Sequence, residues 1–299
     1  MYRNFEEIMA KAKEIGPRKV AVLFPDDPEI IRAMADGMKQ GLITPVLVGN
    51  RARIEAAGHG ANRSFHNMEI VAHEDPQGAA DLCMDMVVKG LVSLVIKGNI
   101  LTTYLYRALI RKTRQLTPDQ ITCTISFHQV PAIEKIFMLT DAGVNICPDL
   151  TTKQKILTNA INIARCLGHE RPRVMVLSAD HLVGSESISA RDVFEINRLA
   201  HQGEFGECEI LTACNLCQAF PNRIMRTEAF PDVFLVPNLE TGNLLAKAIQ
   251  HFGLGLFQGI TTGAGIIALT PSRSAGYEVR LTNLALGVLL AAPAEEDMA

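Results

Sequence analysis

The 299-residue chain has little of what marks several large classes of protein. No run approaches the roughly 18 apolar residues needed to span a membrane. Its formal net charge is −3, so it lacks the basic footprint of a nucleic-acid binder. The N-terminal stretch MYRNFEEIMAKAKEIG carries acidic residues inside an amphipathic pattern, which argues against a signal peptide. Seven cysteines (83, 123, 147, 166, 208, 214 and 217) are odd in number and scattered, the pattern of reduced thiols in a cytoplasm. One C-x-x-C occurs, Cys214 to Cys217, with no second pair or His pair at zinc spacing. Two buried thiols in a helix are the simpler reading of that pair than a redox site. The eight histidines show no ligand spacing, no G-x-G-x-x-G follows the first strand-like run, and no internal repeat is present.

What is present is a large potential core. Hydrophobic residues make up 48% and charged residues 20%, enough chain for two domains of ordinary size. Strand-like runs at 20–24, 45–49, 68–72 and 91–96 alternate with helical patterns such as Ile30, Ile31, Met34 and Met38. That alternation predicts a doubly wound α/β fold. The dipeptide Asp27-Pro28 marks a turn that opens a helix. After residue 113 two runs, 122–127 and 136–140, are separated by HQVPAIEK, too short for a crossover, so a hairpin is expected. Further strands are expected at 173–178, 207–212 and 233–236, with helices at 151–167, 190–201 and 241–252. The boundaries that follow are 1–119 with 260–299 for one α/β domain and 120–259 for a second, inserted into the first, with an interdomain cleft. The acidic tail 295–297 is expected to fray.

The run 91–96 reads as a buried strand of a parallel sheet. The turn after it, Lys97-Gly98-Asn99-Ile100-Leu101-Thr102-Thr103, supplies a cation and two hydroxyls where ligands of open α/β sheets bind, at strand carboxyl ends and helix N-termini. Such a turn suits a phosphate-bearing ligand; the plainer alternative is a β-to-α turn capped by Thr102 or Thr103. Thr270-Pro271-Ser272-Arg273 repeats the arrangement: an apolar strand, then a hydroxyl and a guanidinium fork before the last helix.

KGNILTTYLYRAL (97–109), LTDAGVNICPDLTTKQKI (139–156), PRVMVLSA (172–179), FLVPNLETGNLLAKAI (234–249) and LTPSR (269–273) stand in the order and spacing of one known family. Together they resemble the phosphate acetyltransferase and phosphate butyryltransferase family over nearly the whole chain. The Lys97-Gly98 pair and the Ser272, Arg273, Glu278 arrangement look most like its butyryltransferase branch. The resemblance implies the reaction acyl-CoA plus phosphate giving acyl phosphate plus CoA. It implies no bound cofactor and no metal, with CoA and phosphate or acyl phosphate as substrates and a homodimer as the assembly. Catalytic roles fall on Ser272, near the reacting thiol, on Arg273, on the phosphate, and on Glu278; a helix first-turn carboxylate is the alternative for Glu278. Substrate-binding candidates are Lys97, Thr102, Thr103, Arg107, Asp141, Asn145, Asn238, Glu240, Gly242 and Asn243. For Asp141 and Asn145 the alternative is an Asx turn with a helix cap at Thr151. For Gly242 it is the close approach of neighbouring backbone.

The chain departs from the family pattern at Leu101, where most members carry His, and at Val279, where the acetyltransferase branch carries Asp. It departs again at Thr212-Ala213-Cys214-Asn215, in place of Asp-Gly-Pro-Leu, and at Gln218, in place of Asp. These departures keep a catalytically silent CoA or acyl-phosphate binding protein in view. A nicotinamide-dependent dehydrogenase of related two-domain architecture is the other alternative.

Overall fold

The computed structural model describes residues 2–61, 67–179, 187–212, 215–220, 229–272 and 275–291. The chain splits into two compact units, a flanking one of residues 5–122 and 258–299 and a central one of residues 1–4 and 123–257. Both are α/β.

In the flanking unit the strands are β1 (Arg18–Leu23), β2 (Ile43–Gly49), β3 (Glu69–Ala72), β4 (Leu94–Lys97), β10 (Leu256–Gly263, which begins in the central unit) and β11 (Ile266–Leu269). They lie in the order β3-β2-β1-β4-β11-β10, parallel except for the final pair. Central strands are buried on both faces, which is why β1 and β4 read as unbroken apolar runs rather than alternating ones. The β10–β11 hairpin turns through Ala264 and Gly265 with φ of 52° and 73°, the pair of positive angles that a two-residue turn of this hand demands. Helices α1 (Phe5–Ile15), α2 (Pro28–Lys39), α3 (Arg51–Gly60), α4 (Pro76–Val88), α5 (Thr102–Leu116) and α10 (Tyr277–Leu290) cover the sheet. Asp27 caps α2, its side chain accepting from the Glu29 and Ile30 amides, with Pro28 at the helix start as expected. The last helix, α10, packs against α1 and α2 and buries ten of its residues, including Arg280 and Asn283.

The central unit has β5 (Cys123–Gln129), β6 (Phe137–Thr140), β7 (Arg173–Val176), β8 (Glu209–Ile210) and β9 (Val233–Leu235), in the order β5-β6-β9-β7-β8. The expected hairpin is there: β5 and β6 are antiparallel, and the remaining pairs are parallel. Helices α6 (Leu150–Cys166), α7 (Ile188–His201), α8 (Leu216–Ala219) and α9 (Leu239–His251) complete it. Strand β8 is two residues long, shorter than the run 207–212 suggested. Three phenylalanines, Phe137, Phe230 and Phe234, meet edge-to-face at 5.1 to 5.7 Å within its core. No helix among the described residues is long and apolar enough to cross a membrane.

Candidate functional site

At the carboxyl edge of the flanking sheet, Leu23 of β1 pairs with Lys97 of β4, and Ile96 pairs with Leu269 of β11. The loops after these three strands therefore leave side by side. Phe24 turns the chain out of β1 in a left-handed conformation, φ 51°. Gly98 lies directly on it: the Gly98 amide donates to Leu23 O at 2.8 Å and the Asn99 amide to Phe24 O at 2.7 Å. A Cβ at Gly98 would stand 2.3 Å from Phe24 O and 2.5 Å from Leu23 O. Glycine here is required by backbone meeting backbone. The Lys97 side chain is buried, 2% exposed, and its ammonium donates to Gly98 O at 3.3 Å.

Helix α5 starts at Thr102, and its cap residue is Leu101, which makes no side-chain cap bond. Neither Thr102 nor Thr103 is the cap, which corrects the plainer reading of this turn: both hydroxyls already lie inside the first helical turn. Thr102 is half-buried and Thr103 exposed, while Arg107 is exposed one turn further along. The N-terminus of α5 thus presents amide donors that no side chain of Leu101 can satisfy, the arrangement that attracts anions.

Beyond β11, Pro271 is buried and Ser272 exposed, and the Ala275 amide donates to Ser272 O at 3.0 Å. Arg273 lies outside the described residues. The last helix begins only at Tyr277, with Gly276 in the cap position and no side-chain cap bond. Ser272 is therefore not the N-cap of α10. Glu278 is exposed in the first turn of α10.

The central unit gathers the other candidates. Asp141, 2% exposed at the end of β6, accepts through Oδ1 from the Thr124, Gly143 and Val144 amides at 3.0, 2.9 and 3.2 Å. Its Oδ2 accepts from the Asn145 amide at 2.9 Å and from Asn145 Nδ2 at 2.6 Å. Burial pushes the Asp141 pKa up, and the donors from Gly143, Asn145 and Thr124 work against that shift. The cap of α6 is Asp149 rather than Thr151. Helix α9 opens with Asn238 as its cap, Oδ1 accepting from the Thr241 amide at 2.9 Å. The structure brings α9 to the Asp141 loop: the Leu239 amide donates to Ile146 O, and Asn243 Nδ2 to Ala142 O at 3.5 Å. Gly242 is the contact point. A Cβ there would stand 2.9 Å from Asp141 O and 3.1 Å from Ala142 Cα, so neighbouring backbone explains this glycine. Glu240 is exposed in the first turn of α9.

Sequence reasoning passed over the buried charges. At the amino ends of β6, β9 and β7, Asp232 receives Lys135 Nζ at 2.6 Å, the Arg173 amide at 2.7 Å and His169 Nδ1 at 3.3 Å. Burial pushes Asp232 up, but these donors outweigh it and hold the carboxyl at about 2. Lys153 of α6 pairs with Asp192 of α7, both buried. Only such a pairing makes a buried Lys or Asp tolerable, and a single sequence does not reveal the partner. Arg280 is a third buried charge, its Nε donating to Ala275 O at 3.0 Å. The C-x-x-C reading needs correction: Cys217 is exposed on the one-turn α8, and Cys214 lies outside the described residues. Among the described residues, no three His, Cys, Asp or Glu side chains cluster as a metal site.

The fold and these strand-end turns define a two-unit α/β protein with anion-suited helix starts. Residues 72–275 match the family described as phosphate acetyl/butaryl transferase, and the chain belongs to that family. It is 25% identical over 298 residues to a phosphate butyryltransferase of Clostridium acetobutylicum, covering 97% of this chain and 99% of that one. It is 27% identical over 292 residues to a phosphate acetyltransferase of Rickettsia felis, covering 95% and 84%. A phosphotransacetylase from Streptococcus pyogenes shares the fold with a TM-score of 0.81 at 16% identity, covering 96% and 99%. The chain is thus an enzyme of the phosphate acyltransferase class, and neither the silent binding protein nor the dehydrogenase is favoured.

Proposed function

We propose that this enzyme exchanges CoA and inorganic phosphate on a short-chain acyl group, as a homodimer in the cytoplasm, with Ser272, Arg273 and Glu278 at the reacting centre. The observation that supports the reading is the pairing of β11 with β4, whose ends lead to the exposed Ser272 and to the Lys97–Thr103 turn at one sheet edge, in a chain of this family. Attack of phosphate on the thioester carbonyl builds negative charge on that oxygen and expels a thiolate. Uncapped amides at the start of α5, with the hydroxyls of Thr102 and Thr103, suit phosphate oxygens. Arg273 supplies a fork that grips two of them, and Lys97 adds positive charge to the same turn. In the reverse direction the CoA thiol, with a pKa near 8.5, must lose its proton, and Glu278 is the carboxylate assigned to take it. Arg107 is assigned to CoA phosphates. Asp141, Asn145, Asn238, Glu240, Gly242 and Asn243 keep their substrate-binding assignment, the first three chiefly by shaping the loops of the central unit.

The test is direct. Purified protein, stripped of metals with a chelator, is given butyryl-CoA or acetyl-CoA and phosphate, and acyl phosphate is measured with CoA release. Turnover by the wild type and its loss in Ser272→Ala support the assignment. Calorimetric CoA binding with no turnover would favour the silent protein, and activity restored only by zinc or magnesium would overturn the metal-free scheme.

A further inference from the structure

The buried cation of α10 has no part in the scheme above, yet it touches the turn that carries Ser272. Arg280 is 6% exposed, although it sits in the first full turn of a helix that begins at the sheet edge. Its Nε donates to Ala275 O at 3.0 Å. The amide of the same Ala275 donates to Ser272 O at 3.0 Å. One short relay thus runs from a guanidinium through a single peptide residue to the backbone of Ser272. We propose that Arg280 is a positioning residue for the acyl transfer, holding Ala275 and through it the Ser272 backbone, so that the Ser272 hydroxyl faces the reacting atoms. The inference rests on the assignment of Ser272 to the acyl phosphate site.

Three features make this more than a packing contact. First, Gly276 occupies the cap position and makes no side-chain bond, so capping does not hold the lead into α10. The bond from Arg280 Nε runs from the helix body back to that lead. Second, burial lowers the Arg280 pKa and the carboxylates of Asp27, the cap of α2, and Glu29, in its first turn, oppose that shift. The Arg280 Nε bond lies at the exit of β11, and the charges that favour the cationic form stand at the start of the helix that follows β1. Third, Tyr277 is tied to α2 as well, bonding Asp36 and lying under the Arg32 guanidinium at 4.6 Å. The start of α10 is anchored on both sides while Ser272 and Gly276 before it are exposed. A buried guanidinium is costly without partners, and an apolar side chain of similar length would fill the same space. The fork is suited to holding two directions at once, which an ammonium cannot reproduce.

The experiment compares Arg280→Lys, Arg280→Met and Ser272→Ala in steady-state kinetics at fixed pH, with thermal melting and circular dichroism giving the folded fraction. Activity is expressed per folded molecule. Arg280→Lys is expected to lose at least about tenfold in kcat, with the KM for CoA within about twofold, because orientation rather than binding is damaged. In a fourth variant, Arg280→Ala, added millimolar guanidinium is expected to restore part of kcat, a recovery that a packing role does not give. If Ser272→Ala is fully active, the assignment of the site itself fails. If Ser272→Ala is impaired while Arg280→Lys and Arg280→Met keep wild-type kcat per folded molecule, the site stands and the positioning role is overturned.

Discussion

The loop after β6 and the turn after β11 both leave the carboxyl end of a buried strand, yet they are built in opposite ways. In the first, Asp141 accepts five hydrogen bonds from its own chain, four of them from backbone amides. Its oxygens are used up in folding the loop. In the second, the Ser272 side chain is exposed, and the cap position before α10 makes no side-chain bond. The neighbouring α5 start is uncapped by side chains in the same way. A carboxylate saturated by amides is scaffold; exposed hydroxyls beside helix starts without a side-chain cap suit a phosphate.

The sharpest way to break that contrast is Asp141→Ala. Removing the acceptor strands four backbone donors and Asn145 Nδ2 in a buried loop, and leaving even one such group unpaired costs about 1–3 kcal/mol. A loss of at least about 3 kcal/mol in urea denaturation is expected. A variant of near-wild-type stability that no longer binds CoA would move Asp141 from scaffold to ligand.

Glu278→Gln probes the other side. Glu278 is exposed, so stability should hardly change. If it is the thiol base, kcat for acyl phosphate with CoA should fall about 10²-fold near neutral pH, close to 2.7 kcal/mol. Part of the loss should recover as pH nears 8.5, where the thiol ionises unaided. Full activity across roughly pH 6–9 would return Glu278 to a helix-start carboxylate.

The contrast was only half visible in the sequence. The strands and their order of appearance were legible because β1, β2 and β4 are buried on both faces and so show as apolar runs. The β5–β6 hairpin was legible from loop length alone. Segments such as 97–103 and 139–145 were legible as turns of interest, but their roles were not. Gly98 and Gly242 are both explained by backbone atoms that approach from elsewhere in the fold, from Phe24 and from Asp141. Those partners are 74 and 101 residues away in the chain for Gly98 and Gly242 respectively. The buried pairs Lys135–Asp232 and Lys153–Asp192 were invisible for the same reason: each half looks like a surface charge until its partner is known.

Acid should act chiefly on the central unit. His128 of β5 is fully buried between Phe137 and Phe257, and burial pushes its pKa down to about 3. An unfolded His takes a proton near 6.5, so stability is complete above that pH and falls as pH drops from 6.5 towards 3. The limiting slope is about 1.4 kcal/mol per pH unit, giving about 2 kcal/mol by pH 5. Asp232, held down at about 2, adds a second loss only below the ordinary carboxylate range, between about 3.8 and 2. Asp141 works against both, since a raised carboxyl takes its proton early in the folded state. Denaturant melts of wild type and His128→Gln between pH 7 and 4.5 isolate the first window. Parallel slopes for the two proteins would remove His128 as the source.

The smallest effect expected belongs to Arg273→Lys, and it tests the exposed turn most finely because charge is kept while geometry changes. A guanidinium grips two phosphate oxygens through parallel N–H donors in a rigid plane; an ammonium offers a compact point charge on a flexible stem. If Arg273 only raises the local positive potential, lysine should serve almost as well. If it clamps the phosphoryl group, kcat/KM should fall at least about tenfold, roughly 1.4 kcal/mol, with the KM for phosphate rising and the melting temperature unmoved. A lysine variant with unchanged kinetics at low and high salt would make Arg273 a surface charge and leave phosphate recognition to Lys97, Thr102, Thr103 and the amides of α5.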